Sequence, residues 1–118
     1  MVTAVKTAAS VILPSYNPSE RLLSTVNGLI AAGFEDIILV DDGSRAECQR
    51  FFAEAEKLPQ CTVLHHEVNR GKGRALKTGF EYFLQSRPDA SGAVTTDDDG
   101  QHTPQDVLSC TQLMEQKN

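Results

Sequence analysis

Short apolar runs rich in β-branched residues alternate four times with segments of helical periodicity, the pattern of a parallel sheet covered by helices. The first run, Ala9 to Leu13, is continuously apolar, as expected of a strand buried on both faces, and Pro14 marks its end. Asn17-Pro18-Ser19-Glu20 reads as a capping box, with Asn17 as N-cap, Pro18 first in the helix and Glu20 third. Leu22, Leu23, Val26, Leu29 and Ile30 then form one apolar stripe, and Gly33 stops the helix. A second strand is expected over Asp36 to Val40, followed by a polar turn, Asp41-Asp42-Gly43-Ser44, and a second capping box from Ser44 and Glu47. The next helix runs to about Leu58, with Cys48, Phe51, Phe52 and Ala55 inward and Pro59 closing it. Cys61 to His66 is the third strand. Asn69 to Arg74 leads into a third helix whose Ala75, Leu76, Gly79, Phe80, Phe83 and Leu84 are spaced for burial, Gly79 allowing close approach to the sheet. A fourth strand, Gly92 to Thr96, runs into Asp97 to His102, and Thr103-Pro104-Gln105-Asp106 caps a last helix to about Gln116. The expected class is α/β: a mainly parallel sheet of about four strands with helices on both faces.

Composition narrows this picture. A chain of 118 residues is one ordinary domain, 1–118. With 40% hydrophobic and 23% charged residues it reads as globular, and no apolar run approaches the roughly 18 residues of a membrane span. Eleven basic residues against sixteen acidic ones give a net charge of -5, which argues against nucleic acid as a partner, so an anion site must be local. Cys48, Cys61 and Cys110 are odd in number and far apart, which fits a reducing compartment, and no export signal is read before Pro14. A cytoplasmic location is the expectation.

Every polar signature follows a strand, and in open α/β sheets ligands bind outside the carboxyl ends of the strands, where the topology switches. Asp97, Asp98 and Asp99 are three like charges in a row, costly unless screened by a cation or solvent. In extended backbone Asp97, Asp99 and the amide oxygen of Gln101 point the same way and suit Mg²⁺ or Mn²⁺, with Asp98 facing elsewhere. A solvated acidic turn is the plainer reading. A calcium loop would start at Thr95 and end at Asp106, neither residue being the usual ligand there. Arg70, Lys72, Arg74 and Lys77 lie beside glycines at a helix start, either a phosphate site or a solvated basic face, the latter for Arg74 and Lys77. They do not make a Walker loop. Asp41 and Asp42 either form a turn ahead of the helix cap at Ser44, or read a base or ribose hydroxyl. Tyr16 either packs or stacks on a base. His65 and His66 read as satisfied strand residues, His102 is given no catalytic role, and no nucleophile motif is present.

Four motifs in order, P-S-Y-N-P (Pro14 to Pro18), V-D-D-G-S (Val40 to Ser44), N-R-G-K-G-R-A (Asn69 to Ala75) and D-D-D-G-Q-H (Asp97 to His102), together resemble the family 2 glycosyltransferases. The last two are most similar to the dolichyl-phosphate and polyprenyl-phosphate mannosyl- and glucosyltransferase branch. The resemblance implies the Rossmann-like half of a GT-A fold and an inverting transfer of a hexose from UDP or GDP to an acceptor such as a polyprenyl phosphate. It implies that Pro14 and Tyr16 line the nucleobase pocket, that Asp42 bonds the base, and that Gly71 and Lys72 lie along the nucleotide. Asp97 would sit near ribose and metal and Asp98 on the nucleotide sugar. Asp99, backed by Gln101, would hold Mn²⁺ or Mg²⁺ against the diphosphate and be catalytic through it. The sequence departs from the family pattern at Pro18, where many members carry Glu; Glu20 is the nearest substitute.

In that family the acceptor-binding half and the general base lie beyond the metal motif. The expectation is therefore a donor-binding half cut before the acceptor half, from a parent held at the cytoplasmic face of a membrane by downstream segments. The open edge of its fourth strand invites self-association. The alternative is a catalytically silent nucleotide- or metal-binding module. An unrelated flavodoxin-like receiver leaves Tyr16-Asn17 and Asn69 to Gly73 unexplained.

Overall fold

The computed structural model describes residues 9–87 and 92–96. In chain order they form β1 (Ser10–Ser15), α1 (Arg21–Ala31), β2 (Ile37–Asp42), a 3₁₀ turn (Ala46–Cys48) leading into α2 (Gln49–Glu56), β3 (Cys61–His66), α3 (Lys72–Ser86) and β4 (Ala93–Thr95). The four strands pair in the order β3-β2-β1-β4, every pairing parallel. The class is α/β, as the alternation predicts. The expected last helix over 104–116 lies outside the described residues.

β1 and β2 are apolar on both sides because both sides are covered. Val11, Leu13, Ile37 and Leu39 meet Leu22, Val26 and Leu29 of α1 and Phe52 of α2, while Ile12, Ile38 and Val40 turn to the other face and meet Ala75 of α3. Successive residues of a strand point to opposite faces, so one strand feeds two cores. The chain steps outward from β1 to β2 to β3 and then returns across the sheet to β4. A right-handed crossover in the reversed direction places α3 on the face opposite α1 and α2. The reversal puts the topological switch between β1 and β4.

Several boundaries differ from the pattern's expectation. β1 continues through Pro14 to Ser15. Even-numbered residues of β1 bond towards β4, as Ser10 donates to the Gly92 carbonyl and Thr96 donates to the Ile12 carbonyl. Pro14 faces that same side, but β4 ends level with Ile12, so the proline's missing N–H costs no ladder bond. β2 runs on to Asp42, because Asp41 and Asp42 stay paired with His65 and His66. Neither capping box forms: α1 starts at Arg21 and α2 at Gln49, without a side-chain cap on either. Asn17 and Ser44 are spent on each other's loops, as described below. α2 stops at Glu56, short of Leu58.

On α3 the expected burial holds for Ala75 and Gly79, while Phe80 and Leu84 are exposed, Leu84 by 73%. At about 100° per residue, Phe80 and Leu84 lie on the flank of α3 opposite Thr78, Tyr82 and Gln85. Those three line the groove beside β3, so Phe80 and Leu84 look towards the β4 side. At the other end of the sheet Arg87 grips Asp36 with two guanidinium nitrogens, at 2.9 and 3.2 Å, and Ser10 donates to the same carboxylate. This contact anchors the end of α3 to the starts of β1 and β2.

A Cβ on Gly79 would come within 2.5 Å of Ile12 Cγ2. Gly79→Ala gains helix propensity of about 1 kcal/mol, against overpacking of about 1–3 kcal/mol. Net destabilisation in urea unfolding is the expected outcome; a stabilised variant would show that α3 is not seated this closely.

Candidate functional site

The carboxyl ends of β1, β2 and β3 meet at one rim, and its organisation rests on two adjacent carboxylates at the end of β2. Asp41 and Asp42 are 2% and 3% exposed, a costly position for an anion without hydrogen-bond donors. They project to opposite faces, and each recruits donors there.

On the α2 side, Asp41 accepts the Ser44 amide at 2.9 Å, the Gln49 side-chain amide at 2.9 Å and His65 Nδ1 at 2.8 Å. Phe52 meets the His65 ring at an edge, 6.1 Å between centroids. Burial pushes the Asp41 carboxyl up, but the bonds from Gln49, His65 and Ser44 outweigh it and hold the carboxyl below its ordinary value. The loop this builds is stitched to the β1 loop. The Asn17 amide donates to Ser44 Oγ at 2.8 Å, and the Arg45 amide donates to Asn17 Oδ1 at 2.8 Å. Asn17 takes a left-handed conformation, φ 49°, which Asn tolerates better than most residues. These bonds are why neither residue caps its own helix.

On the α3 side, Asp42 Oδ1 takes His66 Nδ1 at 2.8 Å and the Arg70 amide at 2.9 Å. Its Oδ2 takes the Asn69 side chain and the Gly71 amide, each at 3.0 Å. All four acceptor positions of the carboxylate are filled from within the chain. Asp42 therefore holds the glycine-rich segment that enters α3, and contact with a base would require it to release one of these donors. Gly71, at φ 93°, supplies a backbone that residues with a Cβ rarely adopt. Gly43 is confined as well: at φ 71°, a Cβ there would lie 2.2 Å from the Val68 carbonyl carbon.

Of the residues picked out from the sequence, Pro14 is buried at the end of β1, and Tyr16 just beyond it is 53% exposed. Gly71 and Lys72 open α3, with Lys72 exposed. Pro14, Tyr16, Asp42, Gly71 and Lys72 thus share one end of the sheet. Asp97, Asp98, Asp99 and Gln101 lie outside the described residues. Among the described residues no group of three or more His, Cys, Asp or Glu is placed to hold a metal ion, and the rim acids Asp41 and Asp42 are already occupied by hydrogen bonds. Sequence reasoning missed Gln49 and Thr78 as participants and gave His65 and His66 no part in the rim. The signal was available: Asp41-Asp42 and His65-His66 end neighbouring parallel strands, and aligning those ends pairs them.

A four-stranded parallel sheet with a locked, glycine-bearing rim beside its topological switch is the arrangement of an α/β ligand-binding domain. Residues 10–118 match the family described as Glycosyl transferase family 2, and the chain belongs to that family. An uncharacterized protein of Methanocaldococcus jannaschii is 36% identical over 97 residues, covering 82% of this chain and 37% of its own length. The UDP-N-acetylglucosamine–dolichyl-phosphate N-acetylglucosaminyltransferase of Methanococcus voltae is 32% identical, covering 86% of this chain and 45% of its own. The dolichyl-phosphate beta-glucosyltransferase of Saccharomyces cerevisiae is 35% identical over 83 residues, covering 60% of this chain and 25% of its own. The chain thus spans less than half the length of these relatives. The crystal structure of S. aureus TarS 1-349 shares the fold, with a TM-score of 0.58 at 18% identity, covering 95% of this chain and 33% of that one.

Two outcomes follow. Because the Asp41 carboxyl is held below its ordinary value in the fold, its stabilising contribution is present above the ordinary carboxylate range and is lost in acid, as pH falls through the lowered folded-state value. Asp41→Asn should cost about 1–3 kcal/mol at neutral pH, and the gap from the parent should close in acid; urea unfolding at a series of pH values measures it. Gly43→Ala should drive the Val68–Asn69 backbone away, seen as faster amide exchange at Arg70 and Gly71 together with a lower melting temperature.

Proposed function

We propose that this chain is the donor-binding part of an inverting glycosyltransferase that takes UDP- or GDP-hexose at the rim and passes the sugar to a polyprenyl phosphate. The observation that carries the reading is the interlocked rim itself, whose loops after β1, β2 and β3 are fixed by hydrogen bonds while Tyr16 is left 53% exposed beside them. An exposed ring on a fixed loop suits stacking on a nucleobase, with Pro14 behind it. Gly71 and Lys72 lie where an α/β domain meets a diphosphate, at the start of a helix whose amides favour negative charge. Asp42 serves the nucleotide through the loop it holds.

The lipid-phosphate acceptor is carried over from the activities that the Methanococcus voltae and yeast relatives are named for. A phosphate oxyanion is itself the nucleophile: it bonds to the anomeric carbon as the bond to the departing diphosphate breaks, so the rim need supply no general base. Asp97, Asp99 and Gln101 are the residues proposed to hold Mn²⁺ or Mg²⁺, and Asp98 to face the nucleotide sugar. When bound, such an ion neutralises the leaving diphosphate. No helix among the described residues is long and apolar enough to cross a membrane.

Calorimetric titration of UDP, GDP and their sugar conjugates, with Mn²⁺ and again with EDTA, tests the reading alongside Asp99→Ala. One base should bind, with affinity falling at least tenfold on removal of the metal or in the variant. No binding of either nucleotide by a chain shown to be folded would overturn it.

A further inference from the structure

The carboxylate of Asp42 is aimed by a side chain that the proposed chemistry does not use. His66 lies opposite Asp42 in the β2–β3 register, and its side chain is 9% exposed. One ring nitrogen, Nδ1, is 2.8 Å from Asp42 Oδ1, and the other, Nε2, is 2.8 Å from Thr78 Oγ1 on α3. A carboxylate accepts only, so Nδ1 carries the proton and donates; in the neutral ring Nε2 then accepts from the Thr78 hydroxyl. A continuous path therefore runs from α3 through Thr78, His66 and Asp42 to the Arg70 and Gly71 amides. The segment Asn69 to Gly71 is held to β2 from one end of this path, and the helix it enters is held from the other.

His65 provides the contrast. It makes the same bond to Asp41 one residue earlier, at the same 2.8 Å, yet its side chain is 47% exposed, where water can replace a lost partner. Water has little access to the nearly buried His66, so removing its ring leaves Asp42 short of one donor and frees the carboxylate to rotate.

We infer that His66, with Thr78 behind it, is a positioning residue that fixes the Asn69–Gly71 backbone in the geometry an anionic ligand requires. This rests on the reading of the rim as a nucleotide-sugar site and extends it to two residues that do not touch the ligand. Neither acts in the chemistry. They set the direction of the Asp42 carboxylate, and Asp42 in turn sets the start of α3.

The 118-residue chain is assayed in three ways. Nitrogen-15 NMR of the wild-type imidazole should show Nδ1 protonated and Nε2 as the acceptor. Amide exchange should quicken at least tenfold at Arg70 and Gly71 in His66→Ala while Leu13 and Leu39 in the strands keep their protection, and His66→Asn, which restores a donor near Nδ1, should recover most of the loss. Thr78→Val, which cuts only the link to α3, should give a smaller change at the same two amides and supplies the test if His66→Ala does not fold. Unchanged loop protection in a folded His66→Ala or Thr78→Val, or a wild-type Nδ1 without a proton, would overturn the inference. UDP- and GDP-sugar affinity, read on the same variants, should weaken in step with the exchange. A wild-type chain that binds neither nucleotide would remove the nucleotide reading, and the exchange and NMR results would still decide whether His66 holds the loop.

Discussion

Two negative charges buried side by side at the end of one strand are the constraint from which the rim follows. A carboxylate shut away from water is tolerable only when surrounded by donors, and consecutive residues of a strand must find those donors on opposite faces. Asp41 finds them in the loop entering α2 and Asp42 in the loop entering α3. Each loop is thus shaped by the need to satisfy an anion, and the two meet only where Gly43, without a Cβ, lets the Val68–Asn69 backbone pass. No buried side-chain polar atom among the described residues is left without a partner, so the cost of burying the charges is met locally.

The same strand that presents these acids also makes the core. Ile37 to Val40 are buried on both faces, and the next two residues continue the alternation with carboxylates in place of methyl groups. The position of the rim is thereby set by the best-packed part of the molecule. Gly79 serves the same end from the other side: without a Cβ it lets α3 lie against Ile12 and Val40, bringing Thr78 within reach of β3. Close packing and the placement of a polar relay are one geometric fact here. The buried thiol of Cys61, pushed up to about 11 by burial and by the neighbouring Asp36 charge, belongs to this packing and has little thiolate character.

The strands, the three helices and their two faces were legible because runs such as VIL and IILV leave no other reading, and the rim was legible because every polar motif follows a strand. The local pattern misled where one side chain had two competing uses. Asn17 and Ser44 have the chemistry of helix caps, and only the proximity of the β1 and β2 loops in three dimensions decides that Ser44 Oγ takes the Asn17 amide and Asn17 Oδ1 the Arg45 amide instead. The apolar stripe on α3 is wider than its buried face, because periodicity gives the side of a helix that is apolar but not how much of it the sheet covers; Phe80 and Leu84 lie past that limit. Taken singly, His65 and His66 are simply strand residues. Their meaning depends on register with Asp41 and Asp42, a property of two strands that no single-strand pattern carries.

β3 has a strand neighbour on one side only among the described residues, and it is the strand that bears both histidines. Edge strands are where native-state breathing starts, opening at a fraction of the free energy that global unfolding requires. A transient peeling of β3 from β2 would strip both carboxylates of their imidazole partners in one event while leaving the β1–β2 core shut. The two rim loops, whose carboxylates face opposite sides of the sheet, are in this way joined in time as well as at the Gly43–Val68 approach: one opening of β3 loosens both.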